Sequence, residues 1–82
     1  MYKNRSSQGT NNICGSKLRD IRKQMVPKVS QREFADRLQL EGLDIDKNAV
    51  QRIEAGKRFV TDIELKAIAK LLNTTADELL SD

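Results

Sequence analysis

Two short segments with well-marked starts occupy residues 30–58, and they constrain the fold more than any other feature of the chain. Ser30 begins a helix capping box, and Asp46 is a helix-capping residue before the second segment. Apolar side chains stand at hydrophobic-staple spacing at both starts: Val29 with Phe34, and Ile45 with Val50. Gly56 follows the last apolar position, where a left-handed residue ends a helix at low cost. We therefore predict two helices, at about 31–40 and 47–55.

The second of these helices separates apolar from polar side chains at the helical period. Its apolar side holds Ala49, Val50 and Ile53. Its polar side holds Asn48, Gln51, Arg52 and Ala55, with Lys47 beside them. Asn, Gln, Arg and Lys pair with base edges in the major groove of DNA, so the pattern favours a helix-turn-helix with its recognition helix at 47–55. A solvated face on an ordinary bundle helix has the same pattern.

We take four residues of this face as candidates for base contacts: Lys47, Asn48, Gln51 and Arg52. The geometry of base edges would match Arg52 to guanine and Asn48 to adenine. Asp46, at the end of the helix that would face DNA, would repel phosphate unless it faces away or accepts from a cytosine amino group.

The composition of the 82 residues limits the chain to one small domain. Hydrophobic residues make up 38% and Trp is missing, so an aliphatic core of short packed helices is favoured. No apolar run approaches the roughly 18 residues of a membrane span, and the N-terminus lacks a signal peptide's apolar segment. We expect a cytoplasmic protein that does not bind membranes.

One Cys and no His argue against a disulfide framework and a metal site. Cys14 has the helical spacing of Leu18, Ile21 and Met25, so we expect a small buried hydrophobe. No paired-carboxylate constellation and no Gly-rich phosphate loop occur in the sequence. We therefore expect neither an enzyme nor a cofactor, and no small-molecule ligand is evident.

The charge is distributed unevenly along the chain, although the net charge is only +3. Residues 1–32 hold eight basic side chains and one acidic one, whereas residues 61–82 hold two basic and five acidic ones. A basic N-terminal part attracts polyanions, and together with the polar helix face it supports nucleic-acid binding.

The remaining segments complete an all-α bundle of about five short helices. We predict a disordered tail at 1–12, in which Lys3 and Arg5 are either solvated or an arm that reaches DNA, and a folded domain at 13–82. A first helix should run from about 13 to 25, because Pro27 cannot continue it. Thr61 with Glu64, and Thr75 with Glu78, form capping boxes that open two further helices. The apolar residues Leu40, Leu43 and Ile45 should fold onto the core or extend the second helix.

The ordered set of these motifs resembles the helix-turn-helix family of phage repressors and Cro proteins, the Xre family. The residues that carry the resemblance are Ser30, Gln31, Ala35, Ile53, Glu54, Gly56, Lys57 and Arg58. One departure is an enlarged turn, with six residues (39–44) where the family usually has one. The resemblance therefore leaves open the angle between the two helices.

The resemblance implies roles for residues beyond the recognition helix. Gln31 would hold a phosphate at a helix N-terminus, and Lys57 and Arg58 would lie along the sugar-phosphate backbone. Arg22 and Glu54 would form an ion pair between the first helix and the recognition helix. The family's function implies a repressor that binds double-stranded DNA, and a short recognition helix reads so few base pairs that a homodimer is expected on DNA. The alternative is a protein-interaction module, such as an antitoxin or anti-repressor, with the same fold.

Overall fold

Five helices lie within residues 10–81, the part of the chain that the computed structural model describes. They are α1 (Gly15–Gln24), α2 (Gln31–Leu40), α3 (Lys47–Glu54), α4 (Asp62–Leu71) and α5 (Ala76–Leu80). No strand occurs between residues 10 and 81, so the all-α fold is confirmed. None of these helices is long and apolar enough to cross a membrane.

Side-chain oxygens cap the starts of four helices because the first amides of a helix lack intrahelical partners. The capping side chains of α2, α3, α4 and α5 are those of Ser30, Asp46, Thr61 and Thr75. In α4 the Glu64 carboxylate also accepts from the Thr61 amide, which completes the capping box. Polar residues that the sequence marks as caps therefore determine where these helices begin.

Left-handed residues end three of the helices: Gly42, Gly56 and Asn73, with φ of 91°, 76° and 56°. In each case the next amide donates to a carbonyl of the last helical turn, from Leu43 to Leu38, from Lys57 to Arg52 and from Thr74 to Ala69. These are Schellman motifs, which satisfy carbonyls that would otherwise lack partners.

The enlarged turn between α2 and α3 folds back onto the core after Gly42. The side chain of Ile45 is buried, and Leu43 packs against the core. The side-chain Nε2 of Gln39 donates to the Ile45 carbonyl at 3.0 Å and closes the turn. Leu40 departs from the expectation, because 86% of it is exposed at the end of α2. Only the part of the insertion beyond Gly42 therefore contributes to the core.

The core joins all five helices through aliphatic side chains and, among residues 10–81, one buried aromatic ring, that of Phe34. Its fully buried larger members are Leu18, Phe34, Leu38, Ile45, Val50, Ile53, Ile68 and Leu79. Helix α3 packs against both α2 and α1. The buried side of α3 is the apolar side that the sequence predicts, so its opposite side faces outward.

Candidate nucleic-acid interface

The outward side of α3 carries the four candidate base-reading residues. Lys47, Asn48, Gln51 and Arg52 are all exposed, as is Ala55 beyond the last turn. At 100° per residue these four side chains span an arc of about 140°. Val50 and Ile53, on the other side, are fully buried. The helix thus presents a continuous polar surface whose orientation is set by a buried apolar side.

Asp46, at the N-terminal end of this surface, caps the start of α3. Its Oδ1 accepts from the Ala49 amide at 2.8 Å, in the position where a side-chain oxygen stabilises a helix start. The carboxylate remains exposed at its outer edge. The capping role accounts for a carboxylate at this position without any contact to a base.

Arg22 and Glu54 form the ion pair that links α1 to the last residue of α3. The Arg22 Nε lies 2.7 Å from one Glu54 oxygen, and Nη2 lies 3.0 Å from the other. The Arg22 Nη1 also donates to the Val29 carbonyl at 2.9 Å. Both side chains are almost fully buried, with exposures of 10% and 3%. Because the guanidinium donates to three acceptor atoms, two on Glu54 and one on Val29, hydrogen bonds compensate for the burial of its charge.

Gln31, the candidate phosphate ligand at the start of α2, is hydrogen-bonded to the Glu54 carboxylate. Its Nε2 donates to Glu54 Oε1 at 2.9 Å. The side chain is partly exposed, and a second N–H remains on Nε2. The structure thus brings Gln31 next to the end of α3, although its amide is already engaged within the protein.

Lys57 and Arg58 lie in the loop after α3, but their surroundings differ. Lys57 is exposed and forms no ion pair with any residue between 10 and 81. The Arg58 guanidinium makes two hydrogen bonds of 3.0 Å with the Glu64 carboxylate. Of the two, Lys57 is therefore the cation available for a partner, whereas Arg58 also joins the loop to α4.

The Arg58–Glu64 pair shifts the pKa of both groups. The hydrogen bond to Glu64 raises the pKa of Arg58. Burial alone would raise the pKa of Glu64, but hydrogen bonds from Arg58 and from the Thr61 amide outweigh it and lower that pKa. Each charge thus stabilises the other.

Helix α1 approaches the end of α3 more closely than the sequence pattern indicates. A Cβ on Gly15 would lie 2.0 Å from the Ile53 carbonyl oxygen and 2.7 Å from Asn12 Oδ1. Only a residue without a side chain fits there. A glycine at the start of a predicted helix is the sequence signal that could have indicated this contact.

Residues 10–12 also differ from the sequence prediction of a disordered tail at 1–12. Asn12 is buried, and its side chain bonds to the end of α3, the following loop and the start of α1. The Asn11 amide donates to the Gly56 carbonyl at 2.8 Å. The folded part of the chain therefore begins before residue 13. The rest of the predicted tail, including Lys3 and Arg5, lies outside the described residues.

Helices α2 and α3 pack against each other, and the exposed polar face of α3 gives them the arrangement of a helix-turn-helix. In agreement, a family model described as helix-turn-helix matches residues 18–79, more than half of the chain. The chain belongs to the Xre-type helix-turn-helix family of regulators, which bind double-stranded DNA. No curated protein and no solved structure matches it.

Proposed function

We propose that this protein is a sequence-specific transcriptional repressor that reads duplex DNA with α3. The exposed polar face of α3 carries the proposal, because Lys47, Asn48, Gln51 and Arg52 can all donate hydrogen bonds to base acceptors. The buried ion pair at Glu54 holds the end of this helix against α1. A rigidly held helix places such donors more accurately than a mobile one.

The loop after α3 and the start of α2 would supply phosphate contacts. Lys57 is exposed and forms no internal ion pair with a described residue, so it can neutralise a phosphate at little cost. Gln31 would donate its second N–H while the first stays on Glu54. Arg58 would act chiefly through its positive charge, since both of its terminal nitrogens bind Glu64. Such contacts determine affinity and register, whereas base contacts determine sequence.

We further propose that two copies bind each operator. The eight residues of α3 can reach only a few base pairs, too few to select a site in a genome. Two copies related by a two-fold axis would place their recognition helices in major grooves one helical turn apart, roughly 34 Å. Repression then requires only that the bound pair occupy the site. The proposed place of action is the cytoplasm.

Selection of bound sites from a pool of random duplexes tests this function. The expected outcome is an enriched two-fold-related pair of half-sites with centres about 10 base pairs apart. The Arg52→Ala variant, carried through the same selection, should lose preference at one position of each half-site. No enrichment for the wild-type protein, together with a partner protein that co-purifies with it, would favour the protein-interaction module instead.

A further inference from the structure

We propose that Asn12 is a positioning residue for DNA binding, which fixes the phosphate-contacting loop relative to the recognition helix. This inference rests on the proposed function. It concerns a segment that precedes the first helix and lies outside the matched residues 18–79.

The side chain of Asn12 joins three parts of the protein at once. Its Nδ2 donates to the Ile53 carbonyl at 3.1 Å, in the last turn of α3, and to the Arg58 carbonyl at 2.7 Å. Its Oδ1 accepts from the Gly15 amide at 2.8 Å, at the start of α1. Asn12 is only 4% exposed, so these bonds form away from water. Both ends of the segment 53–58 are therefore attached to one side chain.

Asn11 binds two of the carbonyls between those two ends. Its backbone amide donates to the Gly56 carbonyl at 2.8 Å, and its Nδ2 donates to the Lys57 carbonyl at 3.0 Å. The close packing of Thr10 against Gly56 adds a steric limit, since a Cβ at residue 56 would lie 2.9 Å from Thr10 Cβ. The two asparagines thus hold four carbonyls of the segment 53–58.

A loop held in this way is ordered before DNA arrives. Fixing the backbone of one residue costs free energy, and a loop that is already fixed does not incur that cost on binding. Because Lys57 contacts phosphate in the proposed function, the benefit should be the same on every duplex. The base-reading face of α3 is separately anchored by the buried pair at Glu54, so discrimination between sequences should not depend on Asn12.

The variant Asn12→Asp tests the role of the Nδ2 atom. It keeps an oxygen for the Gly15 amide but replaces the donor with an acceptor that faces two carbonyls. Asn73→Asp is the matched control, because it makes the same change of charge at an exposed residue in the turn after α4. Asn11→Ala is a milder second variant, which removes only the exposed hydrogen bond to the Lys57 carbonyl and leaves the Asn12 bonds intact.

Two measurements are made on each full-length variant. Backbone relaxation in solution reports the order of amides 56–59 and, as a reference, of those in α1. Salt titrations of binding are carried out on the selected operator and on a scrambled duplex. For Asn12→Asp we expect lower order at amides 56–59 and unchanged order in α1. We also expect affinity to fall roughly tenfold on both duplexes, because the free-energy cost of ordering about one residue corresponds to a factor of that size. Asn11→Ala should show a smaller change of the same kind, and Asn73→Asp none.

The possible outcomes separate this proposal from the function on which it rests. Unchanged order at 56–59 in Asn12→Asp, or affinities equal to those of Asn73→Asp, would overturn the positioning role while the wild-type protein still binds DNA. Affinity lost on the operator alone would overturn it as well, because that result would mean a displaced recognition helix. If Asn12→Asp does not fold, Asn11→Ala decides: no loss of loop order or affinity in that variant overturns the proposal. Wild-type protein that binds neither duplex overturns the proposed function itself, and the positioning role with it.

Discussion

Arg22 and Glu54 join the first helix to the last residue of the recognition helix through hydrogen bonds of 2.7 and 3.0 Å. The same carboxylate accepts from Gln31 at the start of α2, and the same guanidinium donates to the Val29 carbonyl before it. One ion pair therefore connects the three helices of the binding unit. This arrangement makes the orientation of α3 depend on a polar contact as well as on the apolar core.

Replacing Arg22 by Met should destabilise the protein strongly, because Glu54 would remain as a buried charge whose one remaining side-chain hydrogen bond among residues 10–81 is that from Gln31. Removing one partner of a buried ion pair lowers the unfolding free energy by roughly 3–5 kcal/mol. The measurement is urea denaturation at neutral pH. The double variant Arg22→Met with Glu54→Leu is the control, since apolar replacement of both partners is often close to neutral. A loss below about 1 kcal/mol in the single variant would contradict the expected cost.

The variants Arg52→Ala and Lys57→Ala should weaken DNA binding in different ways. Loss of a base contact at Arg52 should cost about 1–3 kcal/mol on the operator and leave a scrambled duplex almost unaffected. Loss of a phosphate contact at Lys57 should weaken both duplexes and lower the slope of log affinity against log salt by about one. Salt titrations on both duplexes distinguish the two. Equal losses on both for Arg52→Ala would show that this residue positions the protein and does not read sequence.

Acid should remove the stabilisation that comes from the Arg58–Glu64 pair. The pKa of Glu64 is lowered in the folded protein, so its contribution is complete well above the ordinary Glu pKa of about 4.3 and is lost as the pH falls through the lower folded-state pKa. The variant Glu64→Gln should therefore be less stable than wild type at neutral pH, and the difference should shrink in acid. Urea denaturation from about pH 7 to about pH 3 measures it. Asp36→Asn, at an exposed position in the middle of α2 that forms no ion pair with a described residue, is the control. A loss of stability in Glu64→Gln that does not change with pH would refute the Arg58–Glu64 pair as its origin.

Placing a methyl group on Gly15 should separate α1 from the recognition helix. The new Cβ would meet the Ile53 carbonyl, a backbone atom that cannot move without moving α3. We expect Gly15→Ala to cost about 1–3 kcal/mol of unfolding free energy, as overpacking generally does. Ser16→Ala, at the exposed next position, should change stability by less than about 0.5 kcal/mol. Thermal and urea unfolding measure both, and equal stabilities would disprove the close contact.

The thiol of Cys14 should be unreactive in the folded protein. Burial raises its pKa to about 11, with a smaller contribution from Glu64, and the backbone hydrogen bond only partly opposes this. Since the thiolate is the reactive form, iodoacetamide at neutral pH should label the folded protein slowly and the urea-unfolded protein rapidly. Mass spectrometry follows the modification. Rapid labelling under native conditions would show that Cys14 is accessible.

Helix positions were predictable from the sequence because local signals determine them. Ser30, Asp46, Thr61 and Thr75 supply side-chain caps, and each is recognisable without knowledge of the fold. Leu40 shows the limit of such reasoning. Its apolar side chain suggests burial, but α2 ends there and Gly42 redirects the chain, so its exposure depends on tertiary geometry.

The candidate site was predictable where it follows from the period of one helix. The exposed face of α3 is of this kind, since its buried side is marked by Val50 and Ile53. The contacts of Asn12 were not predictable, because they join residues 41 and 46 positions apart and no local pattern marks such a pairing. The bond between Arg58 and Glu64 is not evident from the sequence, because the spacing of Glu64 from Thr61 indicates a capping box and no local pattern marks its second contact with the loop.

Because the Schellman motif at Gly42 ends α2 locally, the length of the α2–α3 connection does not determine how the two helices pack. The last carbonyls of α2 accept hydrogen bonds from the amides that directly follow the helix. Ile45 then returns to the core, one residue before the cap of α3. The helices are thus located by buried side chains on either side of the connection, and Asp44 between them is exposed. A difference in length at this point of an alignment therefore does not by itself imply a change in helix packing, and Asp44 is the one position between Leu43 and Ile45 where the connection could be lengthened without removing either apolar side chain from the core.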